Sequence, residues 1–136
     1  MQDIDLNWLA VLVAAFVPVV VGALWYSPVL FARPWMREIG RSPEDLSGAS
    51  LGYGLSALAA IVTSYVVARV VRWGEVDDLG NGALVGLLLW VGFVATILAV
   101  QTYFGGRSRT LWVIDAGYWL VSLLVMGAIH GAWDSA

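Results

Sequence analysis

The sequence predicts an all-α fold: an integral membrane four-helix bundle forming one transmembrane domain over residues 1–136. Two observations predict it. Apolar residues make up 60% of the chain and charged residues 12%, with a mean hydropathy of +0.82, whereas an ordinary soluble domain has about 25% charged residues. The apolar residues also fall into four stretches, about 6–31, 50–71, 80–104 and 110–133, with nearly all the charge between them. Each has the roughly 20 residues needed to cross a hydrocarbon core. A water-soluble chain this small could not hide so much apolar surface; a lipid bilayer, the first expected partner, accepts it.

The first stretch comes after Asp3 and Asp5 with no basic residue before it, unlike a cleavable signal peptide. Pro18 should kink it, and Pro28 and Pro34 should end it and stiffen the loop beyond. Residues 32–40 read as an interfacial segment with Trp35, Met36 and Ile39 toward lipid. Ser42-Pro43-Glu44-Asp45 reads as a helix start, with Ser as cap, Pro in the first helical position and an acid three residues after the cap.

The second stretch carries a row of small residues at every fourth position: Gly48, Gly52, Ser56, Ala60, Ser64 and Ala68. Such residues share one helix face and let another backbone come close, which is how membrane helices associate. The row is suited to packing within the bundle or between copies in a homo-oligomer. Gly82 and Gly86 in the third stretch and Gly127 and Gly131 in the fourth are shorter versions of the same signal.

Arginines set the expected orientation. Arg33, Arg37, Arg41, Arg107 and Arg109 lie on one side, and only Arg69 and Arg72 on the other. The five-arginine side should be cytoplasmic, in a cell (inner) membrane, with both termini outside. All seven basic residues are Arg, a composition typical of a GC-rich bacterial genome. Trp8, Trp73 and Trp133 would form the outer aromatic belt, and Trp25, Tyr26, Tyr103 and Trp112 the inner one. Trp90 and Trp119 fall mid-span, where each indole N–H needs a partner in the packed core or in a cavity.

Several function classes are excluded or weakened. There is no cysteine and a single histidine, His130, so a Cys/His zinc site within one chain is out, and no metal or cofactor is expected. The net charge of −3 and the lack of a basic stripe give nucleic-acid binding no support. Phosphate-binding loops and Ser/His/Asp sets able to meet at one depth are absent, so catalysis is not the favoured reading. Small multidrug exporters have similar length, but they depend on a first-helix glutamate, and the first stretch here has no acid after Asp5.

Two groups of polar residues remain. Toward the cytoplasmic end, Asp115 lies about one and a half turns into the fourth stretch; by depth its partners could be Tyr26, Ser27, Tyr53, Gln101, Thr102 and Tyr118, and Trp25 and Trp119 complete the candidate cluster. Arg107 and Arg109 could reach back to it. A charged carboxylate there costs about 2–3 kcal/mol. It could be a helix-end acid facing the helix dipole, a proton or ligand site, or an interhelical hydrogen-bond acceptor. At the outer end stand Asn7, Arg69, Asn81 and His130. His130 is the only side chain of this group whose unperturbed pKa lies near neutrality, and it reads as a satisfied interfacial histidine or as a switch. Asp115 and His130 lie at opposite ends and cannot pair.

Trp25-Tyr26-Ser27-Pro28 reads as a helix exit. Pro28 disturbs the turn before it, leaving carbonyls near residue 24 for the Ser27 hydroxyl or the Trp25 N–H. Irregular backbone at this depth should face protein or water, here toward Asp115 and Gln101. Asn7-Trp8-Leu9-Ala10, Gly22-Ala23-Leu24-Trp25-Tyr26-Ser27-Pro28, Leu30-Phe31 and Trp35, with Arg107-Ser108, Asp115-Ala116-Gly117-Tyr118 and Met126-Gly127-Ala128-Ile129, resemble a family of small bacterial and fungal membrane proteins, domain of unknown function 1761. The resemblance spans nearly the whole chain and implies four membrane helices and no established activity. It also implies that Asn is common where Asp115 stands and His where Trp119 stands, so that a charge at position 115 is not essential.

Three functions compete: a small transport or permeation protein using the cytoplasmic polar cluster; a structural or partner-binding subunit using the small-residue row; and an enzyme on lipid-soluble substrates, suggested only by Trp90 and Trp119. The topology is directly testable. In this cysteine-free chain, Ser47→Cys and Ser135→Cys should label from opposite sides of intact cells, with position 135 reached from outside; labelling of both from one side breaks the four-span count.

Overall fold

The computed structural model describes residues 6–40 and 49–133. The expected helix start at Ser42–Asp45, Arg41 and Gly48, together with Asp3, Asp5 and the two labelling positions, lie outside the described residues. Five helices are described: α1 (Trp8–Trp25), α2 (Ala32–Ile39), α3 (Ala49–Trp73), α4 (Leu79–Phe104) and α5 (Arg109–Trp133). No strand occurs among the described residues. Four of the helices, α1, α3, α4 and α5, are long and apolar enough to cross a membrane.

The expected first span is corrected at its end. Helix α1 stops at Trp25, short of residue 31, because Pro28 cannot continue it. The chain then folds back, with Phe31 N–H donating to the Trp25 carbonyl at 3.0 Å and Ala32 N–H to that of Ser27 at 3.1 Å. The interfacial segment is the short helix α2, closed by Gly40 at φ 71, a left-handed position that glycine takes without steric cost. Trp35, Met36 and Ile39 are half-buried rather than turned wholly outward. Three of the long helices begin on side-chain caps. Asn7 accepts from Ala10 N–H at 3.2 Å, Asp78 from Asn81 N–H at 2.8 Å, and Ser108 from Leu111 N–H at 3.2 Å. The bonds from the Asn81 backbone and side chain hold the Asp78 carboxyl below its ordinary range.

The closest packing is between α4 and α5. A Cβ added to Gly82 would strike the Gly127 carbonyl, and one on Gly86 the Leu123 carbonyl; on Gly127 it would strike the Gly82 carbonyl, and on Gly131 that of Asp78. The two short glycine pairs thus form one backbone-to-backbone contact. Beside it lies the core: Ala14 of α1, Val67 and Val71 of α3, and Leu123 and Met126 of α5. The row on α3 divides into halves. Ala60, Ser64 and Ala68 are buried, whereas Gly52 and Ser56 are exposed, and nothing lies within 4 Å of a Cβ placed on Gly52. All residues from 50 to 59 are exposed, so the N-terminal half of α3 stands clear of its neighbours.

Helix α4 contains a π-helical stretch, Trp90–Ala95, that sequence periodicity did not reveal. In a regular helix the face bearing Gly82 and Gly86 would return near Ile97 and Val100. Those two are exposed, and Leu98 and Thr102 are half-buried instead. The π-turn adds a residue and re-aims the second half of the helix.

The packing contrast gives a test. Gly127→Ala should lower unfolding stability by about 1–3 kcal/mol or more, because the added methyl meets a backbone carbonyl that cannot turn aside. Gly52→Ala, in open space, should raise it by up to about 1 kcal/mol through helix propensity. Thermal and denaturant melts in detergent measure both; a Gly127→Ala melt matching wild type would refute the close contact.

Candidate functional site

The two segments that carry the sequence motif, one on each of α1 and α5, meet face to face. Trp25 reaches from the end of α1 and donates its indole N–H to the Ile114 carbonyl at 2.8 Å. Its ring lies over Gly117, where an added Cβ would come within 3.0 Å of Trp25 Cζ2. Tyr118 returns the contact: its hydroxyl donates to the Pro18 carbonyl at 2.8 Å, and its ring lies 3.3 Å from where a Gly22 Cβ would be. Each motif therefore supplies one glycine that makes room and one aromatic residue that fills it. Pro18 sits inside α1 and is buried.

Between these contacts the Tyr26 hydroxyl donates to Asp115 Oδ1 at 2.6 Å. Burial first, then the bond to Asp115, pushes the Tyr26 phenol well above its ordinary pKa, so it stays a donor at any physiological pH. The other carboxylate oxygen, Oδ2, lies 3.9 Å from an Arg107 guanidinium nitrogen, and that arginine side chain is 50% exposed. Asp115 is the seventh residue of α5, beyond its first turn, so the interhelical phenol, not the helix end, is its close partner. The rings of Trp35, Tyr26, Tyr118 and Trp119 succeed one another, with centroids 5.4, 5.5 and 4.9 Å apart.

The expected cluster is assembled only in part. Trp25, Tyr26, Asp115, Tyr118 and Trp119 come together. Ser27 does not reach Asp115; its hydroxyl donates to the Leu24 carbonyl at 2.7 Å, closing the helix exit. Gln101 is exposed on α4 and makes no side-chain hydrogen bond to this group among the described residues. Trp90 donates to the Ala116 carbonyl at 2.7 Å and Trp112 to that of Ala95 at 3.1 Å, the latter serving a carbonyl at the end of the π-turn. The Trp119 indole N–H has no such bond among the described residues. Ser122, one turn beyond Tyr118, is fully buried, and its hydroxyl has no hydrogen-bond partner among the described residues; sequence reasoning missed it, since a lone serine in an apolar helix carries no periodic signal.

The outer group separates into three local structures. Asn7 and Asn81 serve helix starts. Arg69 donates to the Tyr65 hydroxyl at 3.0 Å and lies over the rings of Tyr65 and Trp73, with Trp8 stacked on Tyr65 at 5.6 Å. His130 is buried, 2% exposed, with Nε2 3.0 Å from Ser64 Oγ. The Ser64 hydroxyl donates to the Val11 carbonyl at 2.7 Å, which uses its proton; Nε2 must therefore carry the hydrogen in the bond to Ser64. This chain of bonds ties α1, α3 and α5 together. Among the described residues no three His, Asp or Glu side chains gather to hold a metal ion.

Four membrane-length helices, locked pairwise by glycine contacts and by indole and phenol bonds to helix carbonyls, define a small multi-pass helical protein. The chain belongs to the family described as Protein of unknown function (DUF1761), whose model matches residues 9–131. No curated protein and no solved structure matches it.

Asp115 and Tyr26 generate a paired test. Asp115→Asn keeps an oxygen for the Tyr26 hydroxyl and should melt near wild type. Asp115→Leu leaves that hydroxyl unpaired and should cost about 1–3 kcal/mol. Because the folded-state Tyr26 pKa is raised, its contribution is complete below the unfolded value of about 10 and is lost as pH rises beyond it. Melts recorded across that alkaline range should fall for wild type and be flatter for Tyr26→Phe; parallel curves would show that Tyr26 is not the buried donor.

Proposed function

We propose that the protein is a partner-binding membrane subunit without chemistry of its own, assembling through the bare half of α3, with a second copy of the chain as partner. One observation carries this reading: residues 50 to 59 of a membrane-length helix are exposed without interruption. In that stretch Gly52 and Gly54 meet nothing within 4 Å. Glycine costs a helix about 1 kcal/mol relative to alanine, and membrane helices use small residues where backbones approach. The same row is buried within the chain at Ala60, Ser64 and Ala68, so the exposed half continues a face already suited to helix packing. The motif residues support a structural role too, since Trp25, Tyr26 and Tyr118 spend their polar groups on bonds between α1 and α5. The subunit would sit in the inner membrane of a bacterial cell, with its arginine-rich end in the cytoplasm and both termini outside.

A second reading, transport of a cation or proton, is favoured by Asp115 Oδ2, whose charged neighbour stands 3.9 Å away, and by the row of aromatic faces beside it, which suits a cation.

Cross-linking separates the two. Gly52→Cys or Ser56→Cys should cross-link between chains in native membranes, Ile97→Cys on α4 should not, and Gly52→Leu should abolish association in detergent sizing without lowering the melting temperature. Monomers throughout, together with cation or proton flux in liposomes that Asp115→Asn removes, would overturn the subunit reading in favour of transport.

A further inference from the structure

At the arginine-rich end, a cleft of about 590 Å³ opens between α2 and the turn joining α4 to α5. Its walls carry charges of both signs, Glu38 from α2 and Arg107 from the turn. Trp35, Ile39 and Leu111 supply an apolar floor, and Ser108 a hydroxyl. Glu38 is exposed and makes no hydrogen bond or ion pair among the described residues. Arg107 has one ion pair, to Asp115 at 3.9 Å, and half its side chain is exposed, leaving most of its five donors unused. Ser108 accepts from Leu111 N–H, so its own hydroxyl proton is available. The positive end of the α5 dipole lies beside it.

We propose that this cleft binds the headgroup of a zwitterionic aminophospholipid, with Arg107 and Ser108 on the phosphate and Glu38 on the primary ammonium. The location fits. Helix α2 comes after the end of one membrane-length helix and the α4–α5 turn joins two others, so the cleft lies where headgroups lie, and an indole such as Trp35 favours that depth. Guanidinium and hydroxyl groups are strong phosphate donors. A purely anionic lipid would leave Glu38 facing like charge. A choline headgroup carries no N–H to donate to the carboxylate. The apolar floor of Trp35, Ile39 and Leu111 receives the glycerol and the upper acyl chains. The inference stands independently of how the bare half of α3 is used.

The test measures unfolding midpoints of the full chain in detergent, with ethanolamine, choline or glycerol phospholipids added at equal concentration, and with soluble phosphoethanolamine in a separate arm. The ethanolamine lipid should raise the midpoint most. Glu38→Gln, at an exposed position that carries no internal bond, should fold as wild type and lose the advantage of the ethanolamine lipid over the glycerol lipid. Arg107→Gln should lose the response to all three. Equal shifts from the three headgroups in wild type, or an ethanolamine preference that survives Glu38→Gln, would overturn the proposal. A full shift from soluble phosphoethanolamine would also overturn the lipid assignment, giving the cleft to a small zwitterionic solute.

Discussion

The backbone contact of α4 with α5 is the constraint on which the other packing depends. In a bilayer no hydrophobic force drives one apolar helix against another, so association comes from close van der Waals approach and hydrogen bonds. Gly82, Gly86, Gly127 and Gly131 remove the side chains that would hold the two axes apart. Once the two helices are fixed at that distance, Leu123 and Met126 of α5 can face Val67 and Val71 of α3 and Ala14 of α1 in one core.

Apart from Tyr26 with Asp115 and Ser64 with His130, the side-chain bonds between helices share one pattern. The donors are side chains, Trp25, Trp90, Trp112, Tyr118 and Ser64, and the acceptors are main-chain carbonyls. A helical carbonyl already bonded along its own helix keeps a second lone pair. An indole or hydroxyl that would be costly to leave bare in lipid is thereby satisfied without a second polar side chain. The arrangement satisfies three of the eight tryptophans, Trp25, Trp90 and Trp112, without a polar side-chain partner. It also leaves the molecule unequal at its two ends: the half holding His130, Ser64 and the glycine pairs is closed, while α3 stands apart toward the arginine-rich half.

Much of this was legible in the sequence. The four long helices follow from hydropathy and length, and their observed ends fall close to the charged or proline-containing gaps. The approach of Trp25 and Tyr26 to Asp115 was also readable, because helix-exit chemistry and depth both placed them there. Other features were not. The glycine pairs of α4 and α5 gave a weaker signal than the longer row on α3, yet they make the tighter contact, because pattern length says nothing about which face meets a partner. Grouping by depth alone placed Asn7, Arg69, Asn81 and His130 together, although they point to different helix starts and faces. It likewise placed Gln101 beside Asp115, when rotation about the helix axis sets it outside.

The π-turn of α4 bears on how chains of this kind can differ in length. One residue more than a regular helix needs lies between Trp90 and Ala95, equivalent to a rotation of about 100°. A loop usually absorbs insertions; here a membrane-length helix holds one, with Trp112 bonded to a carbonyl it displaces. A chain shorter by one residue within that stretch would run as unbroken α-helix and turn Ile97 and Val100 toward α5. The N-terminal half of α4 would keep its register, so the two lengths would be alternative versions of a single architecture.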